Sequence, residues 1–310
     1  MEPRFHFFTL LTKNEQYARM RESLTAAGFD EVSIYTALDN REGNVHEPYS
    51  AITEAVRTAQ APYVVFCHQD LLFGEGPNAL LTRIEELNTL DPRWAIIGNT
   101  GYTPRFDLAV CLDDPTGSQL SDNLPARVVT LDENLLVIRR DAGVGCSPEM
   151  SGFHLYATDL CLNAYMRGRS AYVVEFRVDH LTGALDYTGL HDLAGRFRRV
   201  WRRRIRGALL MTPSMVLLFS RVPLLFHAAN RPGLYARLAK RYRLMSTFDF
   251  LLRGGRPVWL PMGWFDARTW HGPSLNPALR TLDAVLSLGR PHDSHREENK
   301  REPEGEERSR

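Results

Sequence analysis

The apolar run Val64-Val65-Phe66-Cys67 leads straight into His68-Gln69-Asp70, and this imidazole and carboxylate two residues apart are the chain's clearest candidates for chemistry. Side chains alternate along a strand, which puts His68 and Asp70 on one side of it. Together they can ligate a borderline or hard cation such as Mn2+ or Mg2+. A cation at a sheet edge can in turn hold a nucleotide diphosphate. The plain alternative is an aspartate that caps a following turn.

The elements that must position this pair read as alternating strands and helices. Phe5 to Leu11 predicts a first strand, Asn14 is placed to cap a helix through about Ala27, Gly28 ends it, and Val32 to Thr36 predicts a second strand. Tyr49 to Ala59 has helical periodicity, Pro62 restarts the chain, and Tyr63 to Cys67 forms the central strand. Short crossovers bring these strand ends side by side, and ligands of such sheets bind beyond the carboxyl ends of strands. Those ends are Thr12-Lys13-Asn14, Ala37-Leu38-Asp39-Asn40 and His68-Gln69-Asp70. A helix from about Asn78 to Leu90 precedes a strand from Trp94 to Gly98, after which Gly98-Asn99-Thr100-Gly101 permits close backbone approach to a ligand. Val128 to Thr130 and Leu135 to Arg139 predict strands around Leu131-Asp132-Glu133-Asn134. A helix from about Gly152 to Met166, stopped by Gly168, is followed by a last strand from Ala171 to Val178 that ends at Asp179-His180. The expected class is α/β, with an open, mostly parallel central sheet covered by helices.

A chain of 310 residues with 44% hydrophobic and 24% charged residues can bury one large core with additions. The net charge of +1 selects no partner, because arginines crowd Arg196 to Arg206 while glutamates gather after Glu297. Cys67, Cys111, Cys146 and Cys161 lack C-x-x-C spacing, which argues against a zinc site or disulfide framework and fits free thiols in a reducing cytosol. Glu2, Arg4 and His6 do not begin a secretory signal, so the expected location is cytoplasmic. Ala208 to Ala229 is apolar but holds Arg221, Pro213 and Pro223. It is a poor spanning helix, which leaves a buried helical hairpin or a segment peripheral to the inner face of the membrane. The arginines from Arg196 to Arg206 would coat most of a helix. They suit solvent, a diphosphate, an anionic lipid surface or a polyanionic acceptor. No aromatic-basic motif points to nucleic acid. From about Pro291 onward the composition predicts disorder. The expected organisation is one domain over 1–190, a helical or irregular extension over 191–290 with possible membrane contact through 196–229, and a charged tail over 291–310.

Several elements together resemble the glycosyltransferase family 2-like group with a streptomycin-biosynthesis-type (StrF-like) domain. They are Tyr49 and its helix, Phe66 to Asp70, Gly98 and Gly101, Leu131-Asp132-Glu133, the run Phe153 to Leu162, and His180. The match spans roughly Phe5 to Met211. It implies a GT-A-like, nucleotide-sugar-binding sandwich with a cation between the strand-end motif and the donor diphosphate. Asp70 and His180 would hold the metal, and His68 would be a ligand or diphosphate contact where an aspartate is usual. A neutral imidazole there favours Mn2+ over Mg2+. Thr12, Asn14, Asp39, Asn40, Tyr49, His68 and Gln69 would border the nucleotide. His154, Tyr156 and Gly101 would lie towards the acceptor. Asp159, with Thr158 where many relatives carry glutamate, would be the base of an inverting transfer; on a helix it shares a polar stripe with Tyr156 and Asn163.

The expected function is a hexosyltransferase-like enzyme that moves a sugar from a nucleoside diphosphate donor to a glycan, lipid or small-molecule acceptor. Two other readings stay open on the residues alone. His68, Asp70, His154 and His180 could assemble a metal-dependent hydrolase, or the chain could be a degenerate, non-catalytic sugar- or nucleotide-binding module.

Overall fold

The computed structural model describes residues 2–181, 188–205 and 208–219. Along the first half run β1 (Phe5–Leu11), α1 (Asn14–Ala26), β2 (Ser33–Asp39), α2 (Pro48–Thr58), β3 (Tyr63–Cys67), β4 (Leu71–Phe73), α3 (Pro77–Leu90) and β5 (Trp94–Gly98). There follow β6 (Thr100–Tyr102), β7 (Leu108–Asp114), β8 (Gly117–Leu120), β9 (Ala126–Val128), β10 (Thr130–Leu131) and β11 (Leu135–Arg139). The rest comprises α4 (Tyr156–Met166), β12 (Ser170–Val173), β13 (Val178–His180), α5 (Leu190–Trp201), β14 (Ala208–Met211) and β15 (Val216–Phe219).

A seven-stranded central sheet has the order β2-β1-β3-β11-β5-β12-β9. In it β1, β2, β3, β5 and β12 run one way and only β11 and β9 oppose them. A second sheet, β10-β6-β7-β13-β4 with β8 on β7, stands at its edge. This is the GT-A-like α/β sandwich, mostly parallel at its centre, that the resemblance implies.

Both faces of the central sheet are covered, which is why its inner strands β3, β5 and β11 are mostly apolar instead of alternating with polar residues. On β3, Val64 and Phe66 join one core with α2, α4 and α5, while Val65 and Cys67 join the other with α1 and α3. Prolines sit at the first turn of α2 and α3, where the missing N–H costs no bond. Gly28, at φ +86°, ends the α1 turn.

The boundaries differ from expectation where backbone or packing intervenes. Lys13, not Asn14, is the α1 cap, because the Asn14 amide oxygen accepts from Arg41 Nη1 at 3.2 Å. The helix expected from Gly152 begins at Tyr156, since Gly152 and Leu155 have φ of +124° and +60°. The strand expected over Ala171 to Val178 is two strands in different sheets, β12 and β13.

The C-terminal portion departs most. In place of a helical hairpin, β14 and β15 form a β-hairpin closed by a turn in which Thr212 N–H donates to Met215 O and Met215 N–H to Thr212 Oγ1, each at 2.9 Å. Phe197, Trp201, Ile205, Leu210, Leu217 and Phe219 belong to the same core as α4. Apolar side chains turned into that core are not available to a membrane. Residues 220–229 of the apolar stretch, and the expected extension and tail beyond them, lie outside the described residues. No helix among the described residues is long and apolar enough to cross a membrane.

Candidate active site

β3 ends at Cys67, and its ladder with β11 is continued by His68 N–H donating to Asn134 O at 2.8 Å. A turn through Gln69 and Asp70 then carries the chain into β4 and the second sheet. There β13 pairs antiparallel with β4, His180 opposite Leu71, and Leu181 N–H donates to Asp70 O at 3.0 Å. The turn and this pairing, and not strand alternation, bring His68, Asp70 and His180 together, with one potential ligand atom from each lying within 4.8 Å of the others. Ligand atoms around a single octahedral ion stand roughly 3 to 4 Å apart. Small side-chain adjustments therefore suffice for the trio to close on a cation. Two imidazoles and one carboxylate suit Mn2+ better than the harder Mg2+.

Hydrogen bonding fixes the tautomer of His68. Its Nε2 lies 3.0 Å from Tyr156 Oη, which donates its single proton to the Glu133 carbonyl at 3.0 Å. His68 Nε2 must then carry the proton, which leaves Nδ1 as the lone pair for a ligand. Burial lowers the His68 pKa against the opposing pull of Asp70, so the ring is neutral at pH 7 and ready to ligate. Burial also pulls His180 down, but the Asp70 carboxylate, 3.4 Å from its Nε2, together with more distant Asp132 and Asp114, leaves its pKa raised overall. Proton and cation compete for this imidazole.

Asp132 stands near the trio and contributes to the field at both imidazoles, and Glu133 follows it in the chain. The Glu133 pKa is raised well above the usual carboxylate range by burial and by the Asp132 charge, partly offset by the Leu155 and Tyr156 N–H groups at the start of α4. The sequence displayed these two acids between two strands, but nothing in their spacing gave them a role.

The other expected site residues separate into groups. Thr12, Gln69 and Asn14 do converge at the strand ends. Gln69 Oε1 accepts from the Thr12 and Lys13 N–H groups, both at 2.9 Å, and its Nε2 donates to Thr12 Oγ1 and Gln16 Oε1, so it clamps the end of β1. Asp39 sits exposed beside them. Hydrogen bonds from Arg41 hold its carboxyl far below the usual range. Asn40 is buried with its amide spent on the His46 backbone, N–H and carbonyl both at 2.8 Å, and is not free for a nucleotide. Tyr49 is 2% exposed and donates to the His154 carbonyl at 2.8 Å; it supports the 151–155 segment instead of bordering the donor. Gly101 is required by the second sheet, because a Cβ there would collide with the Thr130 carbonyl oxygen. Tyr156 acts through His68, and His154 lines a neighbouring cavity.

Asp159 is the main correction. It is 0% exposed, with Oδ1 accepting from Ser147 Oγ (2.8 Å) and Trp201 Nε1 (2.7 Å), and Oδ2 from Ser147 N–H (2.6 Å) and Asn163 Nδ2 (3.0 Å). Trp201 on α5 covers the helix face that the polar stripe appeared to offer an acceptor. Burial raises the Asp159 pKa against these donors and Arg204. Its work is to bind α5 to α4. The four cysteines are free and buried, and burial pushes the Cys67 thiol up to about 12, so it stays protonated at neutral pH.

The fold and strand-end trio define an α/β protein of GT-A-like architecture. By sequence the chain belongs to the family of the protein named ATP synthase subunits region ORF 6 from Fuscovulum blasticum, with 33% identity over 215 residues, 66% of this chain and 86% of that protein. That name states no activity. No protein-family model matches the chain. Among solved structures, S. aureus TarS in complex with UDP-GlcNAc is similar over 64% of this chain and 65% of that one, at 11% identity and a TM-score of 0.45. The mannosyltransferase PcManGT from Pyrobaculum calidifontis, in complex with GDP-Man and Mn2+, is similar over 93% of this chain and 88% of that one, at 13% identity and a TM-score of 0.43. Likeness this distant says nothing of chemistry.

Proposed function

We propose that the protein is a glycosyltransferase that moves a sugar from a nucleoside diphosphate donor to an acceptor hydroxyl, with inversion. The observation that carries this reading is the meeting of His68, Asp70 and His180 where the central strand β3 leaves the sheet, the position at which open α/β sheets bind ligands. These three residues would hold Mn2+, and the donor's nucleoside would lie along Thr12, Asn14 and Asp39. When bound, the cation would neutralise charge gathering on the departing diphosphate. Glu133, held at the start of α4 by the Leu155 and Tyr156 N–H groups, takes the proton of the acceptor hydroxyl. The acceptor oxygen bonds to the anomeric carbon as the bond from that carbon to the phosphate oxygen breaks, and the diphosphate leaves with the electron pair.

The test is a thermal-shift series with UDP, UDP-GlcNAc, GDP and GDP-Man, each with and without Mn2+, on wild type and Asp70→Ala. A ligand at 100 times its Kd stabilises by about 2.7 kcal/mol, or roughly 5–10 °C for a domain of this size. Stabilisation that needs both Mn2+ and Asp70 supports the reading. Tight zinc retention without any nucleotide response would replace it with metal-dependent hydrolysis.

A further inference from the structure

A cavity of about 480 Å³ has walls that include Ser151, His154, Thr188, Asp192, Arg196 and Arg199, and nothing in the donor reading uses it. Its volume falls within the range of small-ligand pockets, about 300–1,000 Å³. Asp192, Arg196 and Arg199 follow one another at helical spacing along α5, while Phe197 and Trp201 turn into the core. The aspartate leaves one positive charge uncompensated against the two arginines.

Arg196 Nη2 donates to Ser151 Oγ at 2.6 Å and to the Glu149 carbonyl at 3.2 Å, both neutral oxygens. Among the described residues neither Arg196 nor Arg199 forms an ion pair, whereas Arg204 further along is held by both Glu149 carboxylate oxygens at 2.8 and 2.9 Å. On the facing wall, His154 Nε2 lies 3.1 Å from the Thr188 carbonyl. A carbonyl only accepts, so that nitrogen carries the proton and Nδ1 remains an acceptor for a hydroxyl. The cavity thus offers both guanidinium donors and a hydroxyl acceptor.

Its position relates it to the reaction. His154 is two residues before Tyr156, which is within about 7 Å along the backbone, and Tyr156 is bonded to His68. We propose that this cavity is the acceptor subsite and that it takes an acceptor carrying a phosphate group, bound by Arg196 and Arg199 with a sugar hydroxyl near His154; this rests on the glycosyltransferase reading. A phosphate monoester carries −1.5 to −2 charges and three acceptor oxygens, which matches two guanidinium groups better than a carboxylate does.

The test is calorimetric titration of the full chain with inorganic phosphate, a hexose 1-phosphate and the neutral hexose, and sedimentation with vesicles containing a polyprenyl phosphate. Wild type, Arg196→Gln, Arg199→Gln and Arg199→Lys are compared, and Mn2+-dependent UDP or GDP binding is measured on each. Binding of a phosphate compound at least tenfold weaker in both glutamine variants, partly kept in Arg199→Lys and with nucleotide affinity unchanged, is expected. Preference for the soluble hexose phosphate or for the vesicles assigns the source of the phosphate. Phosphate binding that is absent in wild type, or equal in the variants, overturns the proposal. Arginine-dependent phosphate binding without any nucleotide binding would instead remove the transferase reading and leave a phosphate site.

Discussion

Asp159→Asn separates a structural carboxylate from a catalytic one. The substitution exchanges one acceptor oxygen for an amide that meets two donors. At the Oδ2 position it faces the Ser147 N–H and Asn163, which can flip its own amide; at Oδ1 it faces Trp201 Nε1, which only donates, and the rotatable Ser147 hydroxyl. In either orientation one obligate donor is orphaned in the interior, at about 1–3 kcal/mol, and the surviving bonds fall from charge-assisted to neutral strength, about 1 kcal/mol each. Relief of the buried charge offsets part of this. The net expectation is a loss of roughly 2–4 kcal/mol, which lowers Tm by about 5–15 °C. Calorimetry gives the stability, and initial rates taken well below the variant's Tm give the activity. Turnover per folded molecule should stay within severalfold of wild type. An unchanged Tm with turnover reduced a hundredfold or more would refute the reasoning and restore Asp159 as the base.

Tyr156→Phe removes the hydroxyl that fixes the His68 tautomer, and Mn2+ affinity measured by titration should fall about 10–100-fold. Glu133→Gln should cut turnover by about 10²–10⁴-fold while nucleotide affinity holds; retained turnover would move the base elsewhere. The raised His180 pKa gives two opposite pH slopes. Without a cation, the His180–Asp70 pair stabilises most below the unfolded value of about 6.5 and its contribution is lost as pH rises through the folded value. Between about pH 7 and 8, where His68 is neutral in both states, chelator-treated protein should lose Tm, whereas Mn2+ affinity should rise by up to tenfold per unit as His180 gives up its proton. Gly101→Ala should destabilise by about 1–3 kcal/mol in urea unfolding, because the added Cβ meets the Thr130 carbonyl backbone and not a movable side chain.

The central sheet was legible because burial on both faces leaves largely apolar runs: Phe5–Leu11, Tyr63–Cys67, Trp94–Gly98 and Leu135–Arg139 appear where the sequence puts them. His68 and Asp70 were legible for a related reason, since polar residues directly after such runs mark strand ends, whereas His180 as a third ligand came only with the family resemblance. Asp159 was misread because periodicity shows which face of α4 is polar but not what will cover it. The covering indole comes 42 positions later, from a segment whose arginines drew attention from the spacing of Leu193, Phe197 and Trp201, an inward stripe at i, i+4 and i+8. Gly101 was likewise assigned to a ligand when its constraint is the neighbouring strand. The hairpin of β14 and β15 was taken for a helix because leucine and methionine support either structure, and the turn at Thr212 to Met215 decides.

The chain passes from the central sheet into the second where β3 gives way to β4, and β13 returns there 110 positions after Asp70. A cation held there would act as a rivet as well as a reagent, since clips that close long loops restrict the unfolded chain most. Loading the donor would then stiffen the seam between the sheets. Amides of β4 and β13 should slow their hydrogen exchange together when the nucleotide arrives, so that occupancy of the site is reported by the frame that carries it.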